Sequence, residues 1–174
     1  RHKAFGLEQY KLKKPDLIFH LGALARIQPS LKKPASTITN NFMGTLNVLD
    51  YARENNIPVF GICLGMQLMV IEFFRNCLGI KGAGSAEFEN CSPNVITKMK
   101  QWESSSYGGT MRLGNCSVQL SEHSKIKDIY GQTTITERHR HRYDVNSKEP
   151  LLEEMENLGL RITGKCSNHG LIEV

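Results

Sequence analysis

The thiol of Cys63 stands between two glycines in Gly61-Ile62-Cys63-Leu64-Gly65-Met66-Gln67, directly after Ile57-Pro58-Val59-Phe60 and ahead of an apolar, helix-like run. This spacing predicts a nucleophile elbow. A strand that turns abruptly into a helix needs small residues on either side of the turn, and the turn then lifts the central side chain clear. At a helix N-terminus, unpaired N–H groups and the positive end of the dipole favour thiolate over thiol. The next backbone N–H, that of Leu64, points where an oxyanion would form during attack on a carbonyl. The plainer alternative for Cys63 is a small buried hydrophobe in a tight turn.

The elements that must hold this turn are read from patterning. Leu17-Ile18-Phe19-His20-Leu21, with a proline before it and a glycine after it, has the profile of a buried parallel strand, which makes His20 a core strand histidine. From Thr39 to about Glu54, Phe42, Leu46, Val48, Leu49 and Tyr51 recur at helical spacing, and Asn55-Asn56 forms a stop. A strand over Val59 to Ile62 follows, then a helix from about Met66 to Cys77 with Leu68, Met69, Ile71, Phe73 and Phe74 mostly inward. The order β-α-β-α predicts an α/β fold with a mostly parallel sheet and flanking helices, with chemistry at the carboxyl ends of the strands. Beyond Gly79 the segments shorten: Gly82 to Ser85 as a loop, Val95 to Met99 as a strand, Gly108 to Gly114 as a glycine-bounded turn or flap, Ser117 to Leu120 and Thr133 to Ile135 as β-prone. Leu151 to Leu158 reads as a helix ended by Gly159, and Leu160 to Thr163 with Leu171 to Val174 as a closing hairpin.

With 174 residues, 40% hydrophobic and 22% charged, the chain has the composition of one globular domain. A net charge of +5 raises nucleic acid as a partner, but seven Phe and five Tyr with no aromatic-interleaved basic motif argue against it. Five scattered cysteines without a C-x-x-C pair or metal-ligand spacing predict reduced thiols, no metal and a cytoplasmic location. No apolar stretch reaches membrane-spanning length, so no membrane partner is expected. Because the chain opens on Arg1 rather than Met, it is read as a fragment.

From about residue 50 onward the chain resembles the class I (triad) glutamine amidotransferase domain of CTP synthase. Four blocks carry the likeness: Ala52 to Pro58 leading into the Cys63 elbow, Ser85-Ala86-Glu87-Phe88, Gly108-Gly109-Thr110-Met111-Arg112-Leu113-Gly114, and Glu137-Arg138-His139-Arg140-His141-Arg142-Tyr143-Asp144-Val145-Asn146. The resemblance implies that Cys63 attacks the side-chain amide of L-glutamine, that Leu64 supplies an oxyanion N–H, and that Gln67, Glu87 and Arg140 hold the substrate. Glu87 would pair with its ammonium group. Gly108, Gly109, Thr110, Arg112 and Gly114 correspond to a lid that responds to GTP as activator. Ammonia released this way aminates UTP to CTP in a synthase domain that uses ATP and Mg, and the full-length relatives form homo-oligomers. No cofactor is implied for the glutaminase domain itself. Arg138, Arg140 and Arg142 at alternate positions also read as the wet face of an edge strand, and neither His139 nor His141 is nominated as the base.

Two departures shape the expectation. The family's triad is completed by a His-Pro-Glu segment that the sequence does not contain, which predicts a domain truncated at its C-terminus and impaired in glutaminase activity. Residues from about 15 to 50 instead resemble extended short-chain dehydrogenases acting on nucleotide sugars, on Phe19-His20-Leu21-Gly22-Ala23, Gln28-Pro29-Ser30 and Asn41 to Leu49. The expected organisation is therefore a Rossmann-like βα segment over 1–50 and a partial amidotransferase domain over 51–174. The alternatives are an inactive glutamine-binding fragment or chimera, and an NAD-binding remnant of an epimerase.

Overall fold

The computed structural model describes residues 14–15, 18, 20–24, 26–88, 91–99 and 112–173. The chain divides into two compact units, Arg1–Phe60 and Gly61–Val174.

In the first unit, α1 (Ile27–Lys32) and α2 (Pro34–Ile38) lead through a π-helical turn, Thr39–Met43, into α3 (Gly44–Glu54). Pro34 opens α2 at a position where a missing N–H costs nothing. The expected Asn-Asn stop ends α3: the Asn55 side chain donates to the Tyr51 carbonyl at 2.9 Å, and Asn56 turns left-handed at φ 51°, letting the Ile57 N–H reach the Ala52 carbonyl at 2.8 Å. His20 is not a core strand histidine. It is exposed, and its Nε2 lies 3.0 Å from the Thr45 hydroxyl. Leu21 is 89% exposed, and Val59, Phe60 and Ile62 are exposed too, so these apolar runs form no paired strand among the described residues.

The second unit begins at the elbow. Helix α4 (Leu64–Asn76) is followed by β1 (Gly84–Ser85), β2 (Asn94–Lys98), β3 (Arg112–Leu120), α5 (Lys125–Tyr130), β4 (Thr134–His141), β5 (Tyr143–Val145), α6 (Leu152–Asn157) and β6 (Gly164–Cys166). The α/β class holds, with helices packed on sheet. One three-stranded sheet has the order β1-β2-β5 and the other β4-β3-β6; β1 and β2 pair in parallel, the other pairs antiparallel. The strand near the end lies between the two segments read as a closing hairpin: Gly164–Cys166 forms β6, and Lys165 bridges to Ile172 in the second of them.

The buried face of α4 is Gln67, Val70, Ile71 and Phe74, a spacing that repeats along one side of a helix. Ile71 and Phe74 are inward as expected, whereas Leu68 and Met69 are exposed because they fall off that stripe. Val70, Ile71 and Phe74 pack with Val95 and Ile96 of β2, Val145 of β5, and Leu152 and Met155 of α6. Burying that many large side chains, at about 1.5–3 kcal/mol each, holds the head of α4 firmly against β5.

The expectation that every cysteine is a reduced thiol is corrected here. Cys116 on β3 and Cys166 on β6 form a disulfide, leaving Cys63, Cys77 and Cys91 as thiols. The partners lie on neighbouring antiparallel strands, a proximity that their separation of 50 residues conceals. Glu173 brings a carboxylate within 4.8 Å of both sulfurs, but the sulfurs are bonded to each other.

Candidate active site

Cys63 caps α4 with φ 58° and ψ −117°, a backbone conformation that L-residues adopt only under strain. Gly61 is required for it. A Cβ at Gly61 would lie 2.6 Å from the Met69 sulfur and 2.7–2.8 Å from the Gly65 backbone. At Gly65 a Cβ would meet nothing within 4 Å, so the second glycine does not relieve a collision as the spacing suggested. The thiol is exposed rather than buried in the turn. Leu64 is the first residue of α4, and its N–H, having no acceptor within the helix, is available at the site.

Behind the sulfur lies a group the sequence did not nominate. His141 Nε2 is 3.2 Å from Cys63 Sγ, and His141 Nδ1 is 3.8 Å from Asp144 Oδ2. The topology explains how they meet. Strand β4 belongs to the β3 sheet and β5 to the β2 sheet, so the chain crosses from one sheet to the other at Arg142. His141 is therefore the last residue of one ribbon, and β5, with Asp144, runs directly beside α4. Gln67 fastens this junction, donating from Nε2 to the Tyr143 carbonyl at 2.9 Å. The His141 side chain is 12% exposed and that of Asp144 2%, and Asp144 Oδ1 also accepts from the Val145 N–H at 2.8 Å. His139 packs edge-on to His141 with ring centres 5.5 Å apart, and its Nδ1 lies 3.3 Å from Glu173 Oε2. An exposed thiol, an imidazole and a buried carboxylate thus stand in line at the head of α4.

The other expected residues are placed unevenly. Gln67 is buried and engages protein backbone. Glu87 lies exposed in the turn after β1, its N–H bonded by Ser85 Oγ at 3.2 Å. Arg140 sits in β4 opposite Leu113; its side chain is outside the described set. Of the lid residues, Gly108, Gly109 and Thr110 lie outside the described residues, while Arg112 and Gly114 belong to β3, opposite His141 and His139. Gly114 takes φ 109°, a conformation that favours glycine. His141 and Asp144 were missed because histidine and arginine alternate along one strand, and only the crossing at Arg142 selects the histidine that faces sulfur.

This elbow, with a thiol at the head of a helix packed on sheet, is the arrangement of a cysteine-dependent acyl-transfer enzyme. The family profile for glutamine amidotransferase class-I matches residues 12–174, and the chain belongs to that family. The match takes in the segment that resembles nucleotide-sugar dehydrogenases, so it does not favour a dehydrogenase remnant. Within the family the likeness is to the glutaminase domain of CTP synthase. The chain is 44% identical over 146 residues to CTP synthase of Buchnera aphidicola subsp. Baizongia pistaciae, covering 75% of this chain and 26% of that protein. It thus spans about a quarter of the length of that relative. Among solved structures, the glutaminase domain of Trypanosoma brucei CTPS with bound acivicin is similar at 38% identity and TM-score 0.56, over 66% of this chain and 44% of that one. Among the described residues, no helix is long and apolar enough to cross a membrane.

Proposed function

We propose that the second unit is a glutaminase that releases ammonia from L-glutamine through a thioester on Cys63, serving the amination of UTP to CTP. The observation that carries this reading is the strained Cys63 at the head of α4, exposed and in reach of an imidazole, in a chain of the amidotransferase family. Attack by sulfur on the amide carbon moves charge onto oxygen, where the Leu64 N–H stabilises it, and ammonia leaves before water cleaves the thioester. Gln67, Glu87 and Arg140 are the proposed substrate contacts, a carboxylate and a guanidinium suiting the two charged ends of an amino acid. The partner is a synthase domain that uses ATP, Mg and UTP, with GTP as activator through the segment over 108–114, in a homo-oligomer in the cytoplasm.

The test is peptide mass spectrometry after exposure to a glutamine-like chloroketone, with and without excess glutamine and with Cys63→Ala as control. Labelling confined to Cys63 and suppressed by glutamine is the expected result. Equal labelling of Cys63, Cys77 and Cys91, unaffected by glutamine, overturns the reading.

A further inference from the structure

We propose that Cys116, Cys166 and Glu173 form a site for a thiophilic divalent cation of the zinc class once the Cys116–Cys166 disulfide is reduced. The proposal is independent of the reaction assigned to Cys63.

Strand pairing builds the site. Cys166 is opposite Val118 in the β3–β6 register, and Cys116 lies two residues along β3 from Val118, so both cysteines face the same side of the sheet. After β6 the chain turns back on itself: the Cys166 N–H donates to the Leu171 carbonyl at 2.8 Å, and the Glu173 N–H to the Gly164 carbonyl at 2.9 Å. This return brings the Glu173 carboxylate to the sulfurs, and the three ligand atoms lie within 4.8 Å of one another. The site is shielded from water, with Cys116 8% exposed, Cys166 2% and the Glu173 side chain 3%. From β4, His139 Nδ1 lies 3.3 Å from Glu173 Oε2, where it orients the carboxylate as outer partners of ligating groups do. No metal-ligand spacing marks these residues in the sequence, because the two cysteines are 50 residues apart and meet only through the sheet.

Reduction changes the chemistry of the cluster. A small thiol supplies the electrons: two of its molecules join as their own disulfide, and their hydrogens pass to Cys116 and Cys166 as the protein S–S bond breaks. Charging both thiols beside Glu173 would place three negative charges away from water, which is unfavourable unless a cation sits among them. A divalent cation forms its bonds to sulfur as the two thiol protons leave to solvent, and the charge of the cluster falls to minus one. An ion with tetrahedral geometry and bonds of about 2.0–2.3 Å holds such ligands roughly 3.6–3.8 Å apart, a span that fits the cluster. Two thiolates select a zinc-class ion over magnesium or calcium, which take oxygen ligands.

The test reduces the full chain with a phosphine, removes the reductant under argon, and loads zinc chloride or cobalt chloride. A single ion per chain after gel filtration is expected by elemental analysis, and the cobalt form should show sulfur-to-metal charge-transfer absorption. The oxidised chain and Cys116→Ser should show neither, whereas Cys63→Ala should keep both. Glu173→Gln retains both sulfurs, and should weaken zinc at least roughly tenfold against a chromophoric chelator. It supplies the readout should Cys116→Ser lose the native circular dichroism spectrum. The proposal is overturned by a reduced chain that binds no ion, by binding that persists in the oxidised chain or in Cys116→Ser, by loss of the ion in Cys63→Ala, or by unchanged affinity in Glu173→Gln.

Discussion

The Nε2 of Gln67 donates to the backbone carbonyl of Tyr143 at 2.9 Å, joining the first turn of α4 to β5 across 76 residues. Cys63 is four residues before Gln67, and His141 two before Tyr143. This bond therefore fixes the separation of thiol and imidazole.

Gln67→Ala removes that donor and leaves a part-buried carbonyl unpaired, at an expected cost of about 1–2 kcal/mol read from the urea midpoint. If stability is unchanged and only glutamine protection is lost, Gln67 acts on substrate and not as a tether.

The two elbow glycines should respond oppositely. Gly61→Ala puts a methyl group against the Met69 sulfur and the Gly65 backbone, and is expected to cost about 1–3 kcal/mol. Gly65→Ala meets open space in the first turn of α4 and should be neutral or stabilising by up to about 1 kcal/mol. Paired urea denaturation curves decide the matter; equal effects would contradict the geometry.

Reducing the Cys116–Cys166 disulfide should destabilise the second unit by about 2–4 kcal/mol, since the bond closes a long loop in the unfolded chain. Thermal melting with and without dithiothreitol measures this. Cys116→Ser should melt as the reduced protein does and lose its response to reductant.

The Tyr130 hydroxyl donates to Glu137 Oε1 at 2.6 Å, and this bond, followed by burial and the Glu137 charge, holds the phenol above its ordinary value of 10.0. A raised value means that the folded state favours the protonated phenol. The stabilisation is complete below the ordinary value and is lost as pH rises through the folded one. Tyr130 is 46% exposed, so the effect on stability is small. Phenolate absorbance of the protein minus that of Tyr130→Phe should show a late-titrating tyrosine, which Glu137→Gln brings earlier.

Much of the second unit was legible because its signals are local. Apolar spacing placed α4 within two residues, and Gly159, at φ 106°, follows the α6 segment as expected. The runs at 17–21 and 59–62 misled because apolar composition marks a strand only where a neighbour completes the ladder. Their described residues pair with none, and several are exposed.

At the candidate site the division is similar. Sequence alone determined the turn at Cys63, the helix behind it and the family, since each depends on residue types at short fixed spacing and on local backbone sterics. Only the tertiary structure decided that Cys63 meets His141, that Asp144 stands behind the imidazole, and that Cys116 bonds Cys166. The first and last of these contacts span 78 and 50 residues, and all depend on strand register or on the crossing between sheets at Arg142, where long-range hydrogen bonding and burial, not local preference, choose which side chains meet.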